Sequence, residues 1–89
     1  MRKIEKKLNQ AIAQGKPFKL ENTRLDWENN TGYVFLHNNL LAVISRGEAY
    51  PIPATFSAWP TRTTASRLRA LGICATIRQG QPYIDGVAV

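Results

Sequence analysis

Apolar residues recur at helical spacing at the start of the chain. Ile4, Leu8 and Ile12 lie four residues apart within residues 2–14, and this spacing predicts a helix with one apolar face. Gly15 follows, where a glycine commonly ends a helix. The pattern therefore predicts an N-terminal helix that ends near residue 14.

The middle of the chain changes to a period of two. From Thr23 to Trp27 apolar and charged residues alternate, which is typical of a half-buried strand. Two further apolar runs, at 33–37 and 40–45, flank Asn38 and Asn39, and asparagine tolerates the positive φ of a tight turn. We therefore expect three antiparallel strands in a meander.

The second half of the chain is punctuated by proline and glycine. Three prolines between residues 51 and 60 leave room for a short edge strand around Tyr50 to Ile52. Residues 61–72, TRTTASRLRALG, predict a second short helix, and ICATIR and YIDGVAV predict a C-terminal β-hairpin. The predicted fold class is α+β: an N-terminal helix, an antiparallel β-meander, a second short helix and a C-terminal hairpin, with helices covering one sheet face.

Length and composition narrow the class of protein. Eighty-nine residues suit one small globular domain over residues 1–89, and 12 Lys+Arg against 6 Asp+Glu give a net charge of +6, which favours an anionic partner. The single Cys74, expected to be buried in a strand, excludes an internal disulfide and any multi-cysteine zinc site. There is no apolar run of membrane-spanning length, so we expect a soluble intracellular protein without a membrane partner.

The start of the second helix is the first candidate for a ligand site. Helix N-termini attract anions, hydroxyls add donors, arginines can bind phosphate bidentately, and a tryptophan can stack on a base. The candidate ligand-binding residues here are Trp59, Thr61, Arg62, Thr63, Thr64, Ser66 and Arg67. The alternative is structural: one threonine caps the helix, Trp59 packs in the core or against the start of the helix, and the arginines are solvated.

Two further regions carry weaker signals. The first helix bears Arg2, Lys3, Lys6 and Lys7, and Lys16 and Lys19 follow it; these cations could follow a phosphate backbone or form an ordinary solvated face. Among the aromatic residues most are expected in the core, and Tyr33 and His37 are expected to reach solvent and complete the ligand site.

No residue pattern in the sequence indicates a catalytic site. His37 is the only histidine, and no cysteine, serine or carboxylate stands at a recognisable motif spacing from it. No group of residues suggests a metal site or a cofactor. We therefore expect a protein that is not an enzyme.

Four segments together resemble a group of small, mostly uncharacterised bacteriophage accessory proteins. They are MRKIEKKLNQAI, NTRLDW, YVFLHNNLLAVI and WPTRTTASRLRAL, and the likeness spans residues 1–71. The group shares an R-K-x-E helix, a Y-x-L-H-x-N strand pair and a W-x-T-x-T-T-x-S-R-L helix. Members commonly carry glycines where this chain has Ser57 and Ala58.

The resemblance implies a phage protein that acts in the host cytoplasm, and it implies a set of recurring positions, largely polar, that favours a ligand site. These positions are Asn22, Thr23, His37, Asn39, Trp59, Thr61, Thr63, Thr64, Ser66 and Arg67.

The sequence leaves three classes of function. The leading hypothesis is a non-enzymatic binding protein for a phosphate-bearing ligand, namely a nucleotide immune signal that is sequestered to counter host defence. A pocket for such a ligand forms more easily between subunits, so a homo-oligomer, in particular a dimer, is expected. The alternatives are a basic DNA- or RNA-binding accessory protein and an inhibitor of a host protein.

Overall fold

A computed structural model describes all 89 residues and contains three helices and eight strands. The helices are α1 (Lys3–Gln14), α2 (Pro53–Ala58) and α3 (Arg62–Ala70). The strands are β1 (Phe18–Leu20), β2 (Thr23–Glu28), β3 (Thr31–Leu36), β4 (Asn39–Ser45), β5 (Glu48–Pro51), β6 (Ala75–Arg78), β7 (Gln81–Ile84) and β8 (Val87–Ala88).

Helix α1 ends as predicted, and its buried face overlaps the predicted one at Leu8 and Ala11 but is shifted toward Glu5. Gly15 adopts a left-handed conformation (φ 64°), and its N–H bonds to carbonyls of the last turn. The buried residues are Glu5, Leu8 and Ala11, whereas Ile4 and Ile12 are only half-buried. The apolar spacing therefore located the helix, but the helix is rotated so that a carboxylate faces the interior.

Strands β1 to β5 form one antiparallel sheet in sequence order. Strands β2 to β4 are the predicted meander, β5 is the predicted short edge strand near Tyr50, and β1 is an addition. The turn between β3 and β4 consists of His37 and Asn38, both at positive φ, while Asn39 already belongs to β4. The predicted turn was thus displaced by one residue, because His tolerates the left-handed region well enough to occupy the first turn position.

The predicted α+β class is confirmed, and besides β1 two further short elements, α2 and β8, are added to the predicted order. The proline-rich stretch contains α2, with Pro53 in its first turn, where the missing N–H has no helical partner to lose. The predicted C-terminal hairpin becomes a second sheet in the order β6-β7-β8. Cys74 precedes β6 and is exposed, so the expectation of a buried cysteine was wrong.

The core has two clusters. One lies between α1 and the first sheet and includes Leu8, Leu25 and Val34. The other joins α2, α3 and the second sheet to the β3–β4 hairpin, with Phe56 and Leu68 fully buried. Because this second cluster packs α3 against the hairpin, the start of α3 is held close to the turn at His37. No helix has the length and apolar character needed to span a membrane.

Candidate functional site

A cavity of about 540 Å³ opens at the N-terminus of α3. Its wall is built from the end of β3, the β3–β4 turn, α2, the connection to α3 and the first turn of α3. The lining residues are Leu36, His37, Asn39, Thr55, Trp59, Thr61, Thr63 and Thr64. The structure therefore brings together five of the nine predicted ligand-binding residues: His37, Trp59, Thr61, Thr63 and Thr64.

The threonines at the N-terminus of α3 differ in their hydrogen bonds. Thr61 is the N-cap of α3: its hydroxyl oxygen accepts the Thr64 N–H at 3.1 Å and lies 2.9 Å from the Thr64 hydroxyl. The N–H groups of Arg62 and Thr63 have no partner in the helix, as expected for its first residues. Helix α3 therefore presents two free donors and a partial positive charge at the cavity end.

Trp59 and the β3–β4 turn form the other side of the cavity. Trp59 is 54% exposed, so the alternative in which it packs in the core is wrong. His37 is exposed, its N–H donates to the Asn22 carbonyl at 2.8 Å, and the Asn39 side chain donates to the His37 carbonyl at 3.3 Å. These bonds fix the turn backbone and leave the imidazole ring facing solvent.

Arg67 occupies a different place from the predicted one. It is 2% exposed, and its three guanidinium nitrogens donate to Thr23 Oγ1 at 2.9 Å, Glu5 Oε2 at 2.7 Å and Asn22 Oδ1 at 3.2 Å. Ser66 donates to the same Glu5 oxygen at 2.6 Å. The expected phosphate contacts of Arg67 and Ser66 are therefore corrected: both side chains bind a buried carboxylate within the chain, and Arg67 has no surface left for a ligand.

The buried network changes the acidity of Glu5. Burial raises the pKa of its carboxyl, but hydrogen bonds from Ser66, the Arg2 N–H and Arg67, with the charge of Arg67, outweigh burial and hold the pKa below its ordinary value of 4.5. Glu5 therefore stays ionised inside the protein and joins α1 to α3.

This lowered pKa predicts a specific loss of stability in acid. The carboxylate stabilises the fold fully above the pKa of the unfolded chain, and this contribution is lost as pH falls through the lower folded value. Urea unfolding from about pH 7 to about pH 3 should show the loss. The Glu5→Gln variant should be less stable at neutral pH and should depend less on pH; an unchanged pH profile would contradict the assignment.

The remaining predicted residues lie outside the cavity. Tyr33 is on the outer face of the first sheet, in a separate depression beside Phe35. Arg62 lines a groove on another side of α3, together with Arg2 and Arg69. The four cationic residues predicted for nucleic-acid binding, Arg2, Lys3, Lys6 and Lys7, are all exposed on or beside α1.

The recurring polar positions divide into two groups. Asn22, Thr23, Ser66 and Arg67 belong to the buried network, which is a structural feature. The others line the cavity and include Asn39, which the resemblance had marked but the predicted site omitted; Thr55 and Leu36 carried no signal in the sequence. Part of the polar pattern thus belongs to a buried network that stabilises the fold, and the rest lines an open cavity.

Comparison with known proteins places the chain among phage proteins. The family model described as Kyanoviridae Gp96 protein matches residues 1–88. No curated protein and no solved structure matches the chain. The expected kinship with phage proteins is confirmed at the level of this family.

Proposed function

The chain belongs to the Kyanoviridae Gp96 family, and we propose that this phage protein is a non-enzymatic binding protein whose ligand carries phosphate. The ligand we propose is a nucleotide immune signal, which the protein sequesters in the host cytoplasm to counter defence. One observation carries the proposal: an exposed tryptophan and the free end of a nine-residue helix line the same cavity.

The helix end supports recognition of the phosphate. The N–H groups of Arg62 and Thr63 are unpaired donors at the positive end of α3, where anions bind readily. The hydroxyls of Thr61 and Thr64 already bond to each other, so Thr63 supplies the free hydroxyl. We assign the phosphate to this first turn of α3.

The rest of the cavity supports recognition of a base. The exposed Trp59 ring offers a stacking surface, and the His37 ring and the Asn39 amide offer polar groups for a base edge. A volume of about 540 Å³ lies within the range that small-molecule pockets occupy. The cavity therefore suits a nucleotide better than inorganic phosphate.

The lining chemistry supports binding without turnover. The cavity contains no carboxylate and no cysteine, so His37 has no acidic partner to orient it as a general base. Trp59 lines the cavity and is 54% exposed, so this part of the cavity wall is accessible to a second protein surface. We propose that a second copy of the chain covers this side, which makes the binding form a homodimer.

A thermal-shift screen tests the proposal. The panel contains nucleoside monophosphates, cyclic dinucleotides and the matching nucleosides without phosphate. A ligand at 100 times its Kd stabilises the folded state by about 2.7 kcal/mol, which is roughly 10 to 20 °C in Tm for a domain of this size. We expect a shift with a phosphorylated compound, none with its nucleoside, and recovery of the intact compound after heating.

Two outcomes of the screen would contradict the proposal. If no phosphorylated compound raises the Tm, the proposal that the ligand carries phosphate is wrong. If the compound is recovered in cleaved form, the protein is an enzyme and not a binding protein. Sedimentation with and without the bound compound tests the dimer separately.

A further inference from the structure

A second concave surface, which the proposed function does not use, lies beside α1 and α3. Three arginines line this groove of about 510 Å³: Arg2 from the start of α1, and Arg62 and Arg69 from α3. We call it the arginine groove. None of the eight residues that line the α3 cavity lines the groove; Arg62 alone enters both proposals, with its backbone N–H in the proposed phosphate site and its side chain in the groove.

Helix geometry explains why the arginines lie along the same groove. Arg62, Ser66 and Arg69 are four and then three residues apart, so they follow one stripe of α3. Helix α1 packs beside this stripe, since the Asn9 side chain donates to the Ala70 carbonyl at 2.9 Å. The Arg62 and Arg69 backbones are about 10 Å apart along the helix axis. The groove therefore presents positive charge over a length, which suits an extended anion.

The positive charge of the groove is not neutralised within the chain. The structure contains two ion pairs, Arg24 with Asp26 and Arg67 with Glu5, and neither involves a groove arginine. No carboxylate lines the groove. The neighbouring Glu5 is 2% exposed, pairs with the Arg67 guanidinium and accepts the Arg2 backbone N–H at 3.2 Å, and it forms no ion pair with the side chain of a groove arginine.

Two of these arginines occupy helix positions at which a positive charge is unfavourable. Arg2 is the N-cap of α1 and Arg62 is the first residue of α3, and both positions lie at the positive end of a helix. Neither side chain forms an ion pair that would compensate. The backbone N–H of Arg2 still stabilises the start of α1, since it donates to Glu5 at 3.2 Å in a capping box. The unfavourable contribution comes from the two side-chain charges, and an anionic partner would offset it.

We infer that the arginine groove binds the phosphate backbone of a nucleic acid. Guanidinium groups bind phosphate bidentately, and three of them along one groove can contact successive phosphates. Arg69 uses one nitrogen to donate to the Ala75 carbonyl at 3.0 Å, which leaves its other N–H groups for a phosphate. This site differs from the one expected from the sequence, which used Arg2, Lys3, Lys6 and Lys7 of the first helix with Lys16 and Lys19 following it, and neither Arg62 nor Arg69. Lys6 lies one helical turn from Arg2 and extends the same basic surface.

Fluorescence anisotropy with labelled single-stranded DNA, single-stranded RNA and duplex DNA tests this inference. Binding should weaken steeply between about 50 and 200 mM salt, because each neutralised phosphate releases counterions. In the Arg2→Gln/Arg62→Gln variant we expect affinity to fall at least roughly tenfold and the log–log salt slope to decrease by about 2. Its Tm should not decrease, since both cations oppose a helix dipole.

A charge-matched control is available in Lys16 and Lys19, which are exposed and lie outside the groove. The Lys16→Gln/Lys19→Gln variant should keep the wild-type affinity. The inference fails if none of the three nucleic acids binds, if the two double variants weaken binding equally, or if polyglutamate competes as well as unlabelled DNA. Loss of the thermal shift with nucleotides in Trp59→Ala, with nucleic-acid binding retained, separates this site from the cavity.

Discussion

Replacement of Arg67 by Met is expected to remove a large part of the free energy of unfolding. The substitution leaves the Glu5 carboxylate buried without its cation, and breaking a buried ion pair from one side costs about 3–5 kcal/mol. Small domains have only about 5–15 kcal/mol in total. Urea unfolding followed by circular dichroism measures the loss.

Two comparisons make this prediction specific. Arg62→Met changes an exposed arginine of the same helix and should alter stability by less than about 0.5 kcal/mol. Glu5→Leu combined with Arg67→Met removes both charges and should recover part of the loss. If Arg67→Met instead remained as stable as the wild type and only lost ligand affinity, Arg67 would be a ligand-binding residue, as the sequence pattern had suggested.

Replacement of Trp59 by Ala is expected to weaken nucleotide binding while leaving the fold intact. Stacking on an aromatic ring contributes about 1–3 kcal/mol per base, which corresponds to roughly a 5- to 150-fold increase in Kd. The ring is 54% exposed and belongs to neither core cluster, so the free energy of unfolding should change little. Isothermal titration calorimetry with the compound found by thermal shift measures the affinity.

Tyr50 provides the matched control for Trp59. It is 51% exposed on β5 and does not line the cavity, so Tyr50→Ala removes a comparable exposed ring elsewhere. We expect its Kd to equal that of the wild type. Equal Kd values for Trp59→Ala and the wild type would contradict the stacking assignment.

The sequence predicted those elements whose signals are local. The threonine cap and Gly15 mark helix ends through bonds to nearby residues, and the alternation of Val34 and Leu36 with Tyr33 and Phe35 is fully reproduced in β3. Strand β1 and helix α2 were missed because each is short, and α2 follows prolines that also suit an irregular segment.

The error at Arg67 has a different origin. Its partner Glu5 is 62 residues away, so nothing in the TRTTASRLRALG pattern distinguishes a buried arginine from a solvated one. A carboxylate beside the apolar residues of α1 was the one available hint, because a buried charge requires a partner. By contrast, four neighbouring residues of the cavity, from Trp59 to Thr64, come from one segment, which is why the sequence located that part of the site.

The most direct test of the phosphate site at the start of α3 is a ¹⁵N–¹H NMR titration with the nucleotide identified by thermal shift. We expect the largest changes at the backbone amides of Arg62 and Thr63 and at the indole N–H of Trp59, with saturation at one nucleotide per chain. The unphosphorylated nucleoside should leave the two backbone amides unchanged. Changes confined to Arg2, Lys3 and Lys6, with the amides of α3 unaffected, would contradict the proposed site.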